Sequence, residues 1–564
     1  MNDRQADYIV VGAGSAGAIV ATRLAQRGRG RVLLLEAGVS RERDFWIRAP
    51  IGIAKVVGDP RYVWTFRTEQ QGSLAGQSVY WPRGRMLGGS SGVNGTIYVR
   101  GEAAEYDHWR ELGNAGWGYD DVLPYFRRQE ATTIGRDAFR GRDGPVHIDT
   151  LAGMPDALSD AFHAACVAAG IPANDDYNGE RYEGVGYLQL NTRRGQRCDT
   201  ATAYLNGWKL PDLQVETEAI ARRVLFDGRR AVGVEYRQGG RVVRAMAARE
   251  VILATGPVKS PQLLELSGIG QAERLRSLGI PVVHELPGVG ENLIDHAQTR
   301  ITFQADRPLG LNQIVGHPWR QMLLGLQYLT TRRGLMATPA FTIHALARTA
   351  RDIALGRARP SVKLQLAQLS GNARFEMTTG GAPGAMLDDH PGFSIGCFQL
   401  RPASRGFVHV SSADPQADPL IDPRYLEAEE DRLDVVASVR MARTVAAQQA
   451  LASYVVRETR PSAAVQSDEE LLAYVKQSAT TSFHPVGTCR MGPDRLAVVD
   501  AELRVHGLQG LRVIDSSVMP TMPASNTNAA SMMIGEKGAD LLCGVSAAAS
   551  RREARAADVA VAAG

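Results

Sequence analysis

Two stretches of the chain hold residue types whose spacing could do chemistry. Gly12, Gly14 and Gly17 stand at G-x-G-x-x-G spacing, with Ser15 and Ala16 inside the motif. Glycines so spaced allow a tight turn, a close approach of backbone to a pyrophosphate, and close packing of the helix that follows. The helix start adds free N–H groups and a positive dipole end. Glu36, at the end of the next apolar run, can accept hydrogen bonds from ribose hydroxyls and disfavours a 2′-phosphate. The spacing alone does not separate FAD from NAD. The second stretch is TTSFHPVGTCRMG, which contains His484, with Asn526, Thr527 and Asn528 downstream of it. Histidine exchanges a proton near neutral pH, and an asparagine amide both donates and accepts. A lone loop histidine more often packs or faces solvent, and His108, His284, His296, His317, His344, His390, His409 and His506 all compete. Only His484 shares its block with a glycine-rich turn and an Asn-rich helix start. His484-Pro485 gives no metal-ligand spacing and no H-x-x-x-H cluster occurs, so no metal is required.

These residues need elements to position them. Tyr8 to Val11 is an apolar, mostly β-branched run that predicts a buried strand; Ala18 to Ala25 predicts a helix, and Arg31 to Leu35 a second strand. Residues 41 to 80 read as irregular. Trp81 to Gly101 is too glycine-rich for a long helix and reads as a loop wrapped against a ligand, with Leu87, Val93, Ile97 and Tyr98 needing burial. Leu213 to Val224 and Ala231 to Tyr236 read as strands joined by the hairpin turn FDGRR. Glu250 to Leu253 predicts a strand running into a Gly-Pro turn and a helix over Ser260 to Ser267, which returns the chain to the nucleotide sheet. Residues 310 to 470 change character: a helix around Trp319 to Leu329, alternating stretches at Val362 to Leu369, Phe393 to Leu400 and Gly406 to Val410, and a long helix from Glu427 to Gln449. That order fits an antiparallel sheet with helices on one face. Leu511 to Asp515 predicts a strand and Ala529 to Leu542 a helix, with Asn526, Thr527 and Asn528 where N-cap residues belong.

At 564 residues the chain is too long for one ordinary core, so two or more domains are expected. The 64 basic and 60 acidic residues leave a net charge of only +4, which makes no case for nucleic acid or acidic membranes as partners. Five cysteines without C-x-x-C spacing indicate neither a disulfide framework nor a zinc site, and reduced thiols in a cytoplasm are the simplest reading. Met1 to Ala6 is polar and reads as no signal peptide, and no stretch reaches transmembrane length. The alanine-rich end, 546 to 564, reads as a disordered tail.

Four motifs in order give the chain a family resemblance. They are GRMLGGSSGVNGTIYVRGEAAEYD (Gly84 to Asp107), GPVKSPQLLELSGIG (Gly256 to Gly270), the H-P-x-G-T-x-x-M-G pattern at His484 to Gly492, and the N-T-N block from Asn526 to Lys537. The chain resembles the glucose–methanol–choline (GMC) flavin oxidoreductases. The resemblance implies a mixed α/β and α+β fold: a discontinuous Rossmann-type FAD domain (1–155, 200–310 and 480–545) and a substrate domain on an antiparallel sheet flanked by helices (156–199 and 311–479). It implies FAD, with contacts at Gly12, Gly14, Ser15, Ala16, Gly17, Glu36 and Ala37. Further contacts fall on Arg85, Gly88, Gly89, Ser90, Asn94 and Gly95, and on Ala221, Gly256, Asp515, Asn526 and Thr527. The family's catalytic pair falls on His484 and Asn528. The position that binds flavin covalently in some members looks like Trp81 here, so non-covalent FAD is expected. The activity implied is oxidation of a primary alcohol to the aldehyde, with oxygen or a quinone- or dye-type acceptor; cyanohydrin cleavage or decarboxylation on the same fold is the alternative. A homodimer is the assembly considered. Tyr62, Trp64, Phe66 and Tyr98 are the aromatics that could form a choline cage, but with so few aromatics overall a neutral primary alcohol is favoured.

Overall fold

The structure is a computed structural model that describes residues 4–154, 156–206, 210–371 and 387–545. The tail expected at 546–564 lies outside the described residues. Two large sheets face a common cavity. The first is organised on Arg4–Val11, flanked in parallel by Val32–Leu35 and Arg241–Leu253. Leu213–Glu216 extends it beyond Val32–Leu35, and Leu511–Val513 lies beside the end of the long strand, at Val251–Leu253. All these pairings are parallel, and both faces are covered. That is why Val32–Leu35 and Val251–Leu253 are continuous apolar runs rather than alternating ones. The earlier half of Arg241–Leu253 pairs antiparallel with Arg230–Gln238, which pairs with Ile220–Asp227. The single strand expected over Leu213 to Val224 is therefore two: its first part joins the parallel sheet and its second starts the hairpin. The turn falls at FDGRR as expected, with Gly228 at φ +55°.

The glycine motif opens the helix Gly17–Gln26, and the last helix, Asn528–Leu542, packs against it. Gly535 permits this approach, because a Cβ there would lie 2.9 Å from Ala16 backbone. Glu536, fully buried in the last helix, accepts from Arg23 (2.7 Å) and from the Tyr204 hydroxyl (2.8 Å), while Asp540 pairs with Arg27. Buried charges held this way fix the helix's register on the glycine loop.

The second sheet is antiparallel throughout, in the order Val455–Arg460, Ala297–Ala305, Gly392–Gln399, Val362–Ala367, Phe341–Ala347 and Gly184–Tyr187. Glu429–Ala446 and Ala157–Ala168 cover one face. The expected helices at 427–449 and around Trp319–Leu329 form, the latter as Pro318–Thr331. The alternation expected over 362–369 and 393–400 does not mark an exposed face: Val362–Ala367 and Gly392–Gln399 are buried at every residue. Leu364 and Leu366 join an apolar core, and the polar Lys363 and Gln365 face the other way. Two expectations change. Ala297–Ala305 belongs to this antiparallel sheet, so the nucleotide part stops short of 310. Residues 41–80 are not irregular: Val63–Arg67 pairs with Tyr80–Gly84, and short helices form at Phe45–Arg48 and Ile53–Val56. The long link between those two strands hides the hairpin from turn signals.

Candidate functional site

A cavity of about 390 Å³ runs from the glycine loop to the antiparallel sheet. At one end lie Gly12, Gly14, Ser15, Ala16, Glu36 and Ala37. Gly12 turns at φ +98°, and a Cβ there would meet Ala254 O at 2.5 Å. Gly17 does not line the cavity; a Cβ there would stand 1.9 Å from Gly12 O, so it serves helix packing. A Cβ on Gly14 would meet nothing nearer than Gly89 Cα at 3.9 Å, so it would project into the cavity. Glu36 is buried, its two oxygens accepting from Ala13 N–H and Gly38 N–H at 2.9 Å each. Burial pushes its carboxyl up to about 7, against those hydrogen bonds and the Arg85 charge.

The middle of the wall is the loop after Gly84. Gly89, Ser90, Asn94 and Gly95 line it; Gly88 and Arg85 do not. Gly88 donates its N–H to Ala13 O (2.8 Å) at φ +89°, and Arg85 stacks 4.4 Å over the Trp64 ring. Ser90 Oγ accepts from Gly84 N–H (3.0 Å) and Arg83 (3.2 Å), and Asn94 Oδ1 accepts from Arg197 (2.8 Å). Ala221, Gly256 and Thr527 complete this wall. Asp515 ties two turns together, accepting from Gly256 N–H (2.9 Å), Ser260 Oγ (2.6 Å) and Ser517 N–H (2.8 Å). Trp81 is buried between the lining residues Tyr80 and Pro82, with its indole N–H on the Tyr425 hydroxyl (2.9 Å).

At the far end His484 lies between two partners. Its Nδ1 is 3.0 Å from His296 Nδ1, and its Nε2 is 2.9 Å from Asn526 Nδ2. His296 Nε2 is 3.0 Å from Leu400 O, which can only accept. His296 therefore carries its proton on Nε2 and offers Nδ1 as an acceptor. His484 must donate from Nδ1, which leaves the lone pair on its Nε2. Burial, first, and then the charges of His296, Lys363 and Arg83 hold His484 well below the usual 6.5. Burial brings His296 down to about 4. The His484 N–H donates to buried Asp295 Oδ1 (2.8 Å), which fixes the loop.

The asparagine beside His484 is Asn526, not the expected Asn528. Thr527 takes the N-cap position without a side-chain cap, and Asn528 is the first helical residue. Helix geometry turns Asn528 back to the glycine loop, where its Oδ1 accepts from Ser15 Oγ at 2.7 Å. Asn526 precedes the helix and is free to reach the histidine. Lys363 fixes its orientation: the ammonium can only donate, and it meets Asn526 Oδ1 at 2.8 Å and Ser525 Oγ at 3.0 Å, so the amide N–H₂ faces His484. Burial brings Lys363 down to about 7. Sequence reasoning missed Lys363 and Arg83 and treated His296 only as a competitor. Lys363 holds a polar position in an alternating strand, a pattern that reads as a solvent face and gives no signal of a site.

The residues fit FAD. Gly14 leaves the space a pyrophosphate would need, and Asn528 Nδ2 is buried at the wall without an acceptor.

The chain is similar to known proteins over nearly its whole length. Residues 6–298 match the family described as GMC oxidoreductase in its N-terminal domain, and residues 402–535 match its C-terminal domain. The chain is 40% identical to the oxygen-dependent choline dehydrogenase of Photobacterium profundum over 95% of its length and 93% of that protein's. It is 40% identical to the mitochondrial choline dehydrogenase of Homo sapiens, over 95% and 89% of the two chains. Among solved structures, pyridoxine 4-oxidase from Mesorbium loti superposes with a TM-score of 0.84 at 30% identity, covering 94% of this chain and 98% of that one. A variant formate oxidase of Aspergillus oryzae, solved to follow the effect of a mutation on FAD modification, gives 0.88 at 25% identity over 96% and 98%.

Proposed function

The chain belongs to the GMC oxidoreductase family and is an FAD-dependent alcohol oxidoreductase; from that premise we propose that it oxidises a neutral primary alcohol, with His484 as the base. The observation that carries the reading is the lone pair on His484 Nε2, held at the cavity by the His296–Leu400 chain and set 2.9 Å from the Asn526 amide. An alcohol that displaces the Asn526 N–H from Nε2 would donate its hydroxyl proton to that lone pair and accept from the freed amide. Bound FAD supplies the acceptor for the hydride. The proton stays on His484 Nε2, because His296 is low in basicity and its Nε2–H is committed to Leu400 O. Lys363, behind Asn526, favours negative charge developing on the substrate oxygen.

A neutral alcohol is preferred to choline because the aromatics considered for a cage do not form one. Lys259 lies 4.6 Å from the Trp64 ring and 5.1 Å from Phe66, and Arg85 also covers Trp64. The Tyr62 hydroxyl donates to Asp44, and the Tyr98 hydroxyl accepts from Gln129. FAD is proposed to bind non-covalently: among the described lining residues the only histidine is His484, and none is cysteine. All five cysteines are free thiols, which suits the reducing cytoplasm proposed as the location.

The test is anaerobic mixing with a panel of alcohols, read by bleaching of the flavin, and then readmission of oxygen or addition of a quinone. Neutral primary alcohols should bleach the flavin faster than choline does. A flavin that no alcohol reduces would overturn the reading. Reoxidation by oxygen or by quinone alone identifies the acceptor.

A further inference from the structure

The helix Pro318–Thr331 turns its apolar stripe away from the protein. Trp319, Met322, Leu323 and Leu326 follow the i, i+3, i+4, i+7 spacing of one helix face. All four are more than half exposed, Met322 reaching 68%, where a helix packed on the core would bury them. The opposite face anchors the helix: Tyr328 is fully buried and Leu324 partly, against Ala49, Ile51, Met336 and Ala337. Phe45 is exposed beside this anchor, its ring 6.1 Å from that of Tyr328, and continues the apolar surface.

Within the segment that carries the stripe, the charges have one sign. No aspartate or glutamate occurs from 307 to 351, while Arg320, Arg332 and Arg333 flank the stripe or close the helix. The near balance of the whole chain conceals this local asymmetry. The stripe carries a tryptophan at one end, as do helices that lie in a lipid interface with long basic side chains reaching the headgroups. Among the described residues no helix is long and apolar enough to cross a membrane, so only one leaflet would be engaged. Ile51, packed on the anchored face, and Ala340 and Phe341 after the helix line the cavity, so the anchored side of the helix lies near the cavity wall.

We propose that this helix docks the enzyme on an anionic phospholipid surface, with its apolar stripe at the headgroup boundary and its arginines on the lipid phosphates. The proposal stands apart from the reaction assigned to the cavity. It is tested by floating the FAD-loaded enzyme with vesicles of phosphatidylcholine, alone or with phosphatidylglycerol added. At low salt the anionic vesicles should carry about tenfold more enzyme or better, and raised salt should release it. Leu323→Glu with Leu326→Glu should reduce binding to the neutral-vesicle level. Flavin content, melting temperature and alcohol oxidation in solution should be unchanged, because both side chains are exposed. Equal or absent binding of the wild type to both vesicles overturns the proposal, as does a double variant that binds as before. A wild-type dimer that the double variant splits, with no vesicle binding, assigns the face to a second copy instead.

Discussion

The cavity has two walls of different construction. On the nucleotide side the surface is mostly backbone: Gly12 and Gly14 on one loop, Gly89 facing Gly14 on another, and carboxylates at Glu36 and Asp515 held in place by N–H and O–H donors. On the antiparallel side the surface is side chain, supplied at alternate positions of strands buried on both faces, with His484 and Asn526 brought against it by loops. A backbone wall constrains residue type through space and φ, and so tolerates almost no substitution. A side-chain wall constrains only which way each strand residue points, so chemistry can change there while the sheet stays the same. Substitutions on the first wall should cost the cofactor, and those on the second should cost the reaction while the cofactor stays.

The largest effect expected from that contrast is Gly14→Val. Its side chain would project into the space beside Gly89, where a pyrophosphate would approach the loop. The purified variant should be colourless and therefore inactive, by absorbance and by FAD released on denaturation. A yellow variant with full flavin content would break the contrast at its firmest point.

Next is His484→Ala on the opposite wall. It should keep its FAD and lose flavin reduction by about two to four orders of magnitude, the usual worth of a general base. The pH dependence sharpens the assignment. The base works only while Nε2 is unprotonated, so the wild-type rate should hold as pH falls and then drop through the His484 pKa. Burial and neighbouring positive charge hold that pKa well below 6.5, so the limb lies on the acid side of 6.5. The variant should lack this limb. Stopped-flow reduction across pH is the measurement, and a variant that keeps the wild-type rate and limb places the base elsewhere.

The same contrast explains what could be read from the sequence. Gly12, Gly14, Gly17 and Glu36 announce a backbone wall because the need for missing side chains appears directly as fixed spacing, and the flanking parallel strands are continuous apolar runs. Lys363 and Gln365 gave no such signal, since polar residues at alternate strand positions look like an exposed face. Only the fold reveals that this face closes a cavity. His296 could not be picked from its competitors, because its function is to hold the tautomer of another histidine across the sheet. The choice between Asn526 and Asn528 depended on where the last helix begins, and a one-residue shift in a helix start turns a side chain toward a different wall.

That asparagine pair gives the smallest expected effects and the finest test, since the two residues stand two apart in sequence and on opposite walls. Asn526→Ala removes the amide that meets His484 and leaves Lys363 without its acceptor there. Alcohol-dependent flavin reduction should fall about 10²-fold, the loss seen when one oriented donor to a developing oxyanion is removed, while FAD content stays full. Asn528→Ala removes only the acceptor of the Ser15 hydroxyl and an amide N–H at the cofactor end of the cavity. A hydrogen bond of that kind is worth about 1 kcal/mol, so FAD affinity should weaken roughly fivefold, with the reduction rate of the FAD-saturated variant near wild type. Titration of the apo-variants with FAD and single-turnover reduction at saturating FAD separate the two quantities. If Asn528→Ala slows reduction and Asn526→Ala does not, the residue beside His484 in the working enzyme is Asn528, and the start of the last helix must lie elsewhere when FAD is bound. If both variants lose rate equally with FAD in place, the two walls act as one unit and the division drawn between them fails.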